Sequence, residues 1–152
     1  MKGYWPTPGT GLKDGWLATG DIAKVDEDGY FYIIDRIKDM INVSGYKVYS
    51  RLVDDILFGH PAIKAAGVIG IPDQERPGSE RIKAFVELKE EYEGKVAAEE
   101  IIEYCKEKLP PYAVPKSVEF RSDLPLTVTE KIFKRKLKEE EIAKTKKEKT
   151  SG

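Results

Sequence analysis

The sequence predicts an α+β fold, in which short strand pairs and helices follow one another without a long strand–helix–strand series. Three observations carry this. Ile22-Ala23-Lys24-Val25 and Tyr30-Phe31-Tyr32-Ile33-Ile34 flank Asp28-Gly29, a β-hairpin pattern. The segment 81–89 alternates, with Ile82, Ala84, Val86 and Leu88 on one face, as a half-buried strand does. The segments 51–59 and 97–109 carry apolar residues at helical spacing instead.

Taken in order, residues 1–15 hold Gly3, Pro6, Pro8, Gly9, Gly11 and Gly15, too many breakers for regular structure. Tyr4 and Trp5 lie among them, and large aromatics need a surface to bury against, so this segment is expected to pack on other protein. After the hairpin, 40–43 and 46–49 read as two short strands about Ser44-Gly45. A helix follows over 51–59, with Ser50 as N-cap, Gly59 as stop, and Leu52, Val53, Ile56 and Leu57 turned inward. Residues 64–71 and 81–89 are strands joined by a polar loop. The helix over 97–109 turns Ile101, Ile102, Cys105 and Leu109 inward and ends at Pro110-Pro111. Residues 117–120 form a strand, 124–130 a loop, and 131–138 a basic segment. The tail from Glu139 is charged enough to read as a helix end fading into disorder. Domain boundaries are expected at 1–35, 36–138 and 139–152.

Composition narrows the function. Lys and Arg number 26 against 27 Asp and Glu, for a formal net charge of −1, so no global field draws the chain to nucleic acid or an anionic membrane. The basic run near the C-terminus is broken by Glu139, Glu140 and Glu141 and has no aromatic platform beside it, which argues against nucleic-acid binding. One cysteine and one histidine give neither an internal disulfide nor a metal-ligand cluster, and point to an intracellular, cytoplasmic protein. No apolar run approaches the roughly 18 residues of a membrane span.

Four segments carry a resemblance: Thr19-Gly20-Asp21, Asp35-Arg36-Ile37-Lys38-Asp39, Ser44-Gly45-Tyr46-Lys47 and Pro125-Leu126-Thr127-Val128-Thr129-Glu130-Lys131. With Leu109-Pro110-Pro111-Tyr112 and Val114-Pro115 between them, their order and spacing resemble the acyl-adenylate-forming enzymes, which include acyl-CoA synthetases, luciferases and peptide-synthetase adenylation domains. The look is closest to fatty acyl-CoA synthetases. The resemblance implies a ligase that couples a carboxylic acid to ATP, giving acyl-AMP, and then passes the acyl group to CoA. ATP/AMP and CoA are its small-molecule partners, and Mg2+ is expected in the intact enzyme without being bound by this chain. Residues 1–35 resemble the end of a large N-terminal domain, and 36–138 a mobile C-terminal lid domain. Without the rest of the large domain, the chain alone is expected to be inactive.

The resemblance also implies roles, each with a plainer counterpart. Asp21 matches the carboxylate that accepts from the ribose hydroxyls, two acceptor oxygens suiting a vicinal diol; locally it could simply end a strand. Arg36 matches a contact to ribose and phosphate, or pairs with Asp35 or Asp39. Lys38 matches the hinge, or is a solvated lysine. Gly45 matches a glycine beside the pantetheine tunnel, or makes a tight turn; Ser44 stands where relatives touch CoA. Lys47 matches a basic side chain reaching the nucleotide phosphate. Lys131 matches the catalytic lysine of the first half-reaction, or opens a solvated basic face with Lys134, Arg135, Lys136 and Lys138. Three places depart from the usual pattern. Glu130 replaces a frequent glycine and could compete for the Lys131 ammonium, and Ser50 and Leu52 replace a frequent Pro and Glu. A reading from another class also fits: a stand-alone module that binds nucleotide or CoA, or complements a separate large domain.

Overall fold

The computed structural model of the chain describes Pro6 and residues 11–150. It forms two compact units, Met1–Lys38 and Asp39–Gly152. Tyr4 and Trp5, expected to pack on other protein, lie outside the described residues.

The first unit is built of two antiparallel ribbons. β1 (Leu12–Lys13) pairs with β2 (Trp16–Leu17), and β3 (Asp21–Val25) with β4 (Phe31–Arg36). The second ribbon is the hairpin expected from Asp28-Gly29. Its turn is closed by the Asp26 carboxylate, which accepts from the Asp28 and Tyr30 amides and from the Tyr32 hydroxyl at 2.7 Å. A bulge between Ile22 and Ala23 shifts the register and leaves Asp21 opposite Arg36. A two-stranded ribbon cannot cover its own faces, and here Trp16 is 80% and Phe31 77% exposed.

The second unit is centred on a three-stranded sheet in the order β7-β8-β9. β7 (Ile63–Pro72) and β8 (Glu80–Leu88) are antiparallel, while β9 (Ser117–Phe120) runs parallel to β8. Before the sheet come β5 (Ile41–Val43) and β6 (Tyr46–Val48), a hairpin about Ser44-Gly45, and helix α1 (Ser50–Phe58). Helix α2 (Ala98–Lys106) lies in the crossover from β8 to β9, and α3 (Lys134–Thr150) ends the chain's regular structure.

Both faces of the sheet are covered. Ala66, Val68, Ile82, Ala84 and Val86 pack with Val53 and Leu57 of α1 and Ile101 and Cys105 of α2. On the other face Ile69 and Phe85 pack with Leu124 and Leu137, the last from α3. The alternation in 81–89 located the first face correctly. Phe85, fully buried on the second, shows that the strand is covered twice.

Three expectations are corrected. Leu52, read as inward, is 50% exposed, because the short helix turns Val53 and Leu57 to the core. Ser50 is not an N-cap: Tyr49 holds that position without a side-chain cap, and Ser50 is the first helical residue, buried and accepting from Lys134 Nζ at 2.7 Å. The charged segment from Glu139 is not a fading tail but the continuation of α3. Ion pairs hold it. Lys83 of β8 reaches Glu119 at 2.8 Å and Glu141 at 2.7 Å, Lys144 reaches both carboxylates at 2.9 Å, and Arg121 joins Glu119 at 2.9 Å to Glu140 at 2.6 Å. The cations of Lys83 and Arg121 also lie over the Phe85 ring, at 5.1 and 4.8 Å from its centre.

Burial pushes the Glu119 carboxyl up, but hydrogen bonds from Lys83, Lys144 and Arg121 outweigh it and hold the group at about 2 against an ordinary 4.5. A depressed carboxyl contributes stability that is complete above the unfolded-state value and is lost as pH falls toward the folded one. Denaturant midpoints of the chain are therefore expected to fall progressively from pH 5 to about pH 2. Glu119→Gln is expected to flatten that dependence, and an unchanged pH slope would count against the network.

Candidate functional site

In the first unit, Asp21 and Arg36 face each other across β3 and β4, and Arg36 Nε lies 3.0 Å from Asp21 Oδ1. Neither Asp35 nor Asp39, the partners suggested by proximity in sequence, makes this ion pair. Asp35 is instead buried, with its Oδ1 accepting the Arg36 amide at 2.7 Å. Upstream, the Thr19 hydroxyl accepts the Asp21 amide at 3.2 Å, and the Gly20 carbonyl accepts from Ile37 at 2.9 Å. The Thr-Gly-Asp turn and the start of the 3-10 turn Ile37–Asp39 are thus tied together. Lys38 is exposed within that turn, and the boundary between the two units falls directly after it.

In the second unit, the β5–β6 turn places both Ser44 (φ +51°) and Gly45 (φ +92°) in the left-handed region, as a two-residue hairpin turn requires. A side chain at Gly45 would meet nothing within 4 Å, so backbone conformation, not crowding, is what demands glycine there. The turn is braced by the polar loop between β7 and β8. The Ser44 amide donates to Ser79 Oγ at 2.9 Å, Arg76 Nη1 donates to Ser44 Oγ at 3.1 Å, and Asn42 Nδ2 donates to the Gly78 carbonyl at 3.1 Å. Tyr46 stacks on Tyr112, with ring centres 4.4 Å apart and planes at 9°. Lys47 is exposed opposite Asn42. The sequence pattern does not place Arg76 or Ser79 at this turn, since each is over 30 positions away in a loop without periodicity; Tyr112 stands in a segment of the resemblance, but without a contact to Tyr46 being implied there.

Lys131 lies on a short loop ahead of α3. An isolated bridge joins Leu126 to Ile132 at its base. The Thr127 amide donates to the Lys131 carbonyl at 2.7 Å, and the Lys131 amide donates to the Thr127 hydroxyl at 3.2 Å. Val128 projects fully exposed from the tip. Three members of the basic run are paired, while Lys136, exposed on α3, has no carboxylate partner among the described residues. Lys134 is held by Asp54 at 2.5 Å and Ser50, Lys138 by Glu80 at 3.0 Å, and Arg135 by Glu139 at 2.8 Å. Among the described residues, no carboxylate lies within 4.0 Å of the Lys131 ammonium. Glu130, expected to compete for it, does not pair with it; it bears instead a left-handed backbone, φ +59°. That conformation accounts physically for glycine being frequent at this place. Two positions beyond Leu52, Asp54 accepts from Lys134 and from the Val68 amide at 2.8 Å.

Among the described residues no group of three or more His, Cys, Asp or Glu side chains is placed to hold a metal ion. None of the described helices is long and apolar enough to cross a membrane.

The second unit is a small α+β domain that presents Lys131 and a glycine turn on its surface, and the first is a ribbon unit with an Asp–Arg pair. The chain belongs to the family of AMP-binding enzyme C-terminal domains, whose model matches residues 52–131. It is 47% identical over 144 residues to a long-chain-fatty-acid–CoA ligase of Bacillus subtilis, an alignment covering 93% of this chain and 25% of that protein. Among solved structures, it resembles the Mycobacterium tuberculosis fatty acyl CoA synthetase (TM-score 0.68, 37% identity), with 91% of this chain and 27% of that one covered. It also resembles ATP-bound MatB from Rhodopseudomonas palustris (TM-score 0.79, 30% identity), with the same coverage. The chain thus spans about a quarter of the length of the relatives it matches.

The left-handed backbone at Glu130 gives a direct test of the loop. Relief of about 1–2 kcal/mol of strain, less about 0.4–1 kcal/mol for the greater unfolded-state freedom of glycine, leaves Glu130→Gly about 0.5–1 kcal/mol more stable. Urea denaturation measures this, and a lower midpoint for the variant would show that the loop carries no such strain.

Proposed function

We propose that the chain is the C-terminal part of an ATP-dependent fatty-acid–CoA ligase and supplies the cation for its first step. The observation that carries this reading is Lys131, whose ammonium is exposed and, among the described residues, without a carboxylate partner on a braced loop directly ahead of α3, while Lys134, Arg135 and Lys138 behind it are paired. Membership of the family and the similarity to long-chain-fatty-acid–CoA ligases support it.

In the first half-reaction a substrate carboxylate oxygen attacks the α-phosphorus of ATP, the bond to the bridging oxygen breaks, and pyrophosphate leaves. Negative charge gathers on the non-bridging oxygens between the two reactants. The Lys131 ammonium bridges carboxylate and α-phosphate there, stabilising charge as it builds. A flexible stem ending in a point charge suits a cation delivered by a moving domain. Asp21 accepts from the ribose hydroxyls. Its ion pair with Arg36 fixes one carboxylate oxygen and holds the guanidinium near ribose and phosphate. Lys47 reaches the phosphate. ATP enters as its magnesium complex, and we place the ligands of Mg2+ on the large domain outside this chain.

In the second half-reaction the CoA thiol, losing its proton, attacks the acyl carbon and AMP leaves. We assign the Ser44-Gly45 turn to the CoA side of this step and Lys38 to the hinge between the two arrangements. A position that changes backbone angles and stays solvated in both states suits a hinge, and the unit boundary after Lys38 supports this choice. With the rest of the large domain absent, the chain alone has no complete site and is inactive.

In the full-length ligase carrying this chain, Lys131→Ala is expected to lower acyl-AMP formation by about 10²–10³-fold while sparing thioester formation from supplied acyl-AMP. Equal loss in both half-reactions would refute the assignment. At Gly45, alanine brings backbone strain without bulk and leucine brings both. Gly45→Leu is expected to slow thioester formation far more than Gly45→Ala does, with acyl-AMP formation retained by each. Equal thioester rates in the two variants would remove the turn from the CoA path.

A further inference from the structure

Glycine inside a strand gives up conformational freedom and packs nothing, so its presence asks for a close approach. Gly67 lies in the middle of β7, buried and opposite Phe85 of β8. It faces the side of the sheet covered by Leu124 and Leu137, as Ala65 and Ile69 do two residues to either side. A β-carbon built there would come 2.7 Å from Cγ2 of Ile132, 3.5 Å from its Cβ and 3.8 Å from its Cγ1. The three nearest atoms all belong to the residue that directly follows Lys131. Its backbone is not in the left-handed region that alone favours glycine, so the constraint is space.

Ile132 is the inward anchor of the Lys131 loop. It sits at the bridge with Leu126, its side chain packs against the Phe85–Leu137 cluster, and Phe133 beyond it donates to the Pro125 carbonyl at 2.7 Å. A β-branched side chain has little χ1 freedom, so crowding at Gly67 must move the Ile132 backbone. Adjacent Cα atoms are rigidly spaced, and that movement passes to Lys131.

We propose that Gly67 is a positioning residue for Lys131: the bare backbone of β7 forms a slot for the Ile132 side chain, and the depth of that slot sets where the Lys131 loop stands above the sheet. This rests on the reading of Lys131 as the cation of the first half-reaction. Misplacement of a reacting group by about 1 Å is enough to cost about 10²-fold in rate.

The test uses the full-length ligase carrying this chain, with acyl-AMP formation followed by pyrophosphate exchange and thioester formation followed from supplied acyl-AMP. Lys131→Ala is measured first; if it leaves acyl-AMP formation intact, the reading of Lys131 fails and the proposal with it. Given that loss, Gly67→Ala is expected to lower the kcat of acyl-AMP formation by about 10–100-fold, with the KM for ATP and the thioester rate unchanged within about twofold. Gly67→Ala/Ile132→Leu, which removes the branch at Cβ as it adds the methyl at position 67, is expected to restore most of that rate. Should Gly67→Ala fail to fold, Ile132→Ala, which withdraws the anchor without crowding the strand, is expected to show the same selective loss. A normal adenylation rate in the folded variant, a parallel loss in both half-reactions, or no recovery in the double variant would each overturn the positioning role while leaving Lys131 in place.

Discussion

Lys134 is the point on which the second unit is organised. Its ammonium is largely buried between Asp54 and Ser50 of α1, and Asp54 also takes the Val68 amide from the outer edge of β7. A buried ion pair recovers its desolvation cost only when the remaining acceptor and donor sites are filled, and here the backbone amide and the serine hydroxyl fill them. The same carboxylate therefore blunts an open strand edge, seats α1, and fixes the first residue of α3. Everything between β9 and α3, including the loop of Lys131, spans from one fixed point to another.

What the sequence disclosed follows the range of the forces involved. The 22–34 hairpin, the strand pair of the sheet and the helical segments were readable because turn chemistry and hydrophobic period are local. The four segments that carried the family resemblance fall on loops or strand ends. The failures are tertiary. Leu52 has the right spacing for an inward residue, but a nine-residue helix resting on one sheet face buries a narrower stripe than its apolar content suggests. Ser50 has the right identity for a cap but is claimed by Lys134, 84 positions away. The segment after Glu139 looked too charged to fold because its charges were counted without partners; Lys83, Glu119 and Arg121 supply them.

The same distinction separates the lysines. Pattern alone treats residues 131–138 as one basic face, and composition sets the chain's 26 Lys and Arg against 27 Asp and Glu. In the fold the pairing is settled residue by residue: Lys134, Arg135 and Lys138 on the helix meet carboxylates, whereas among the described residues Lys131, on the loop ahead of it, and Lys136, on its exposed side, do not. A near-zero net charge thus coexists with a local positive site, which no average over the chain could show.

Cys105 has a consequence of a different kind. It is the sole cysteine of the sequence, fully buried between α2 and the sheet, and burial pushes its thiol up to about 11. Thiolate is the reactive form, so in the closed domain this sulfur is shielded both sterically and by its protonation. Its modification requires α2 to lift from the sheet, so the rate at which it reacts, set by the opening equilibrium or, at high reagent, by the opening step itself, makes the side chain an internal reporter of the opening of the domain.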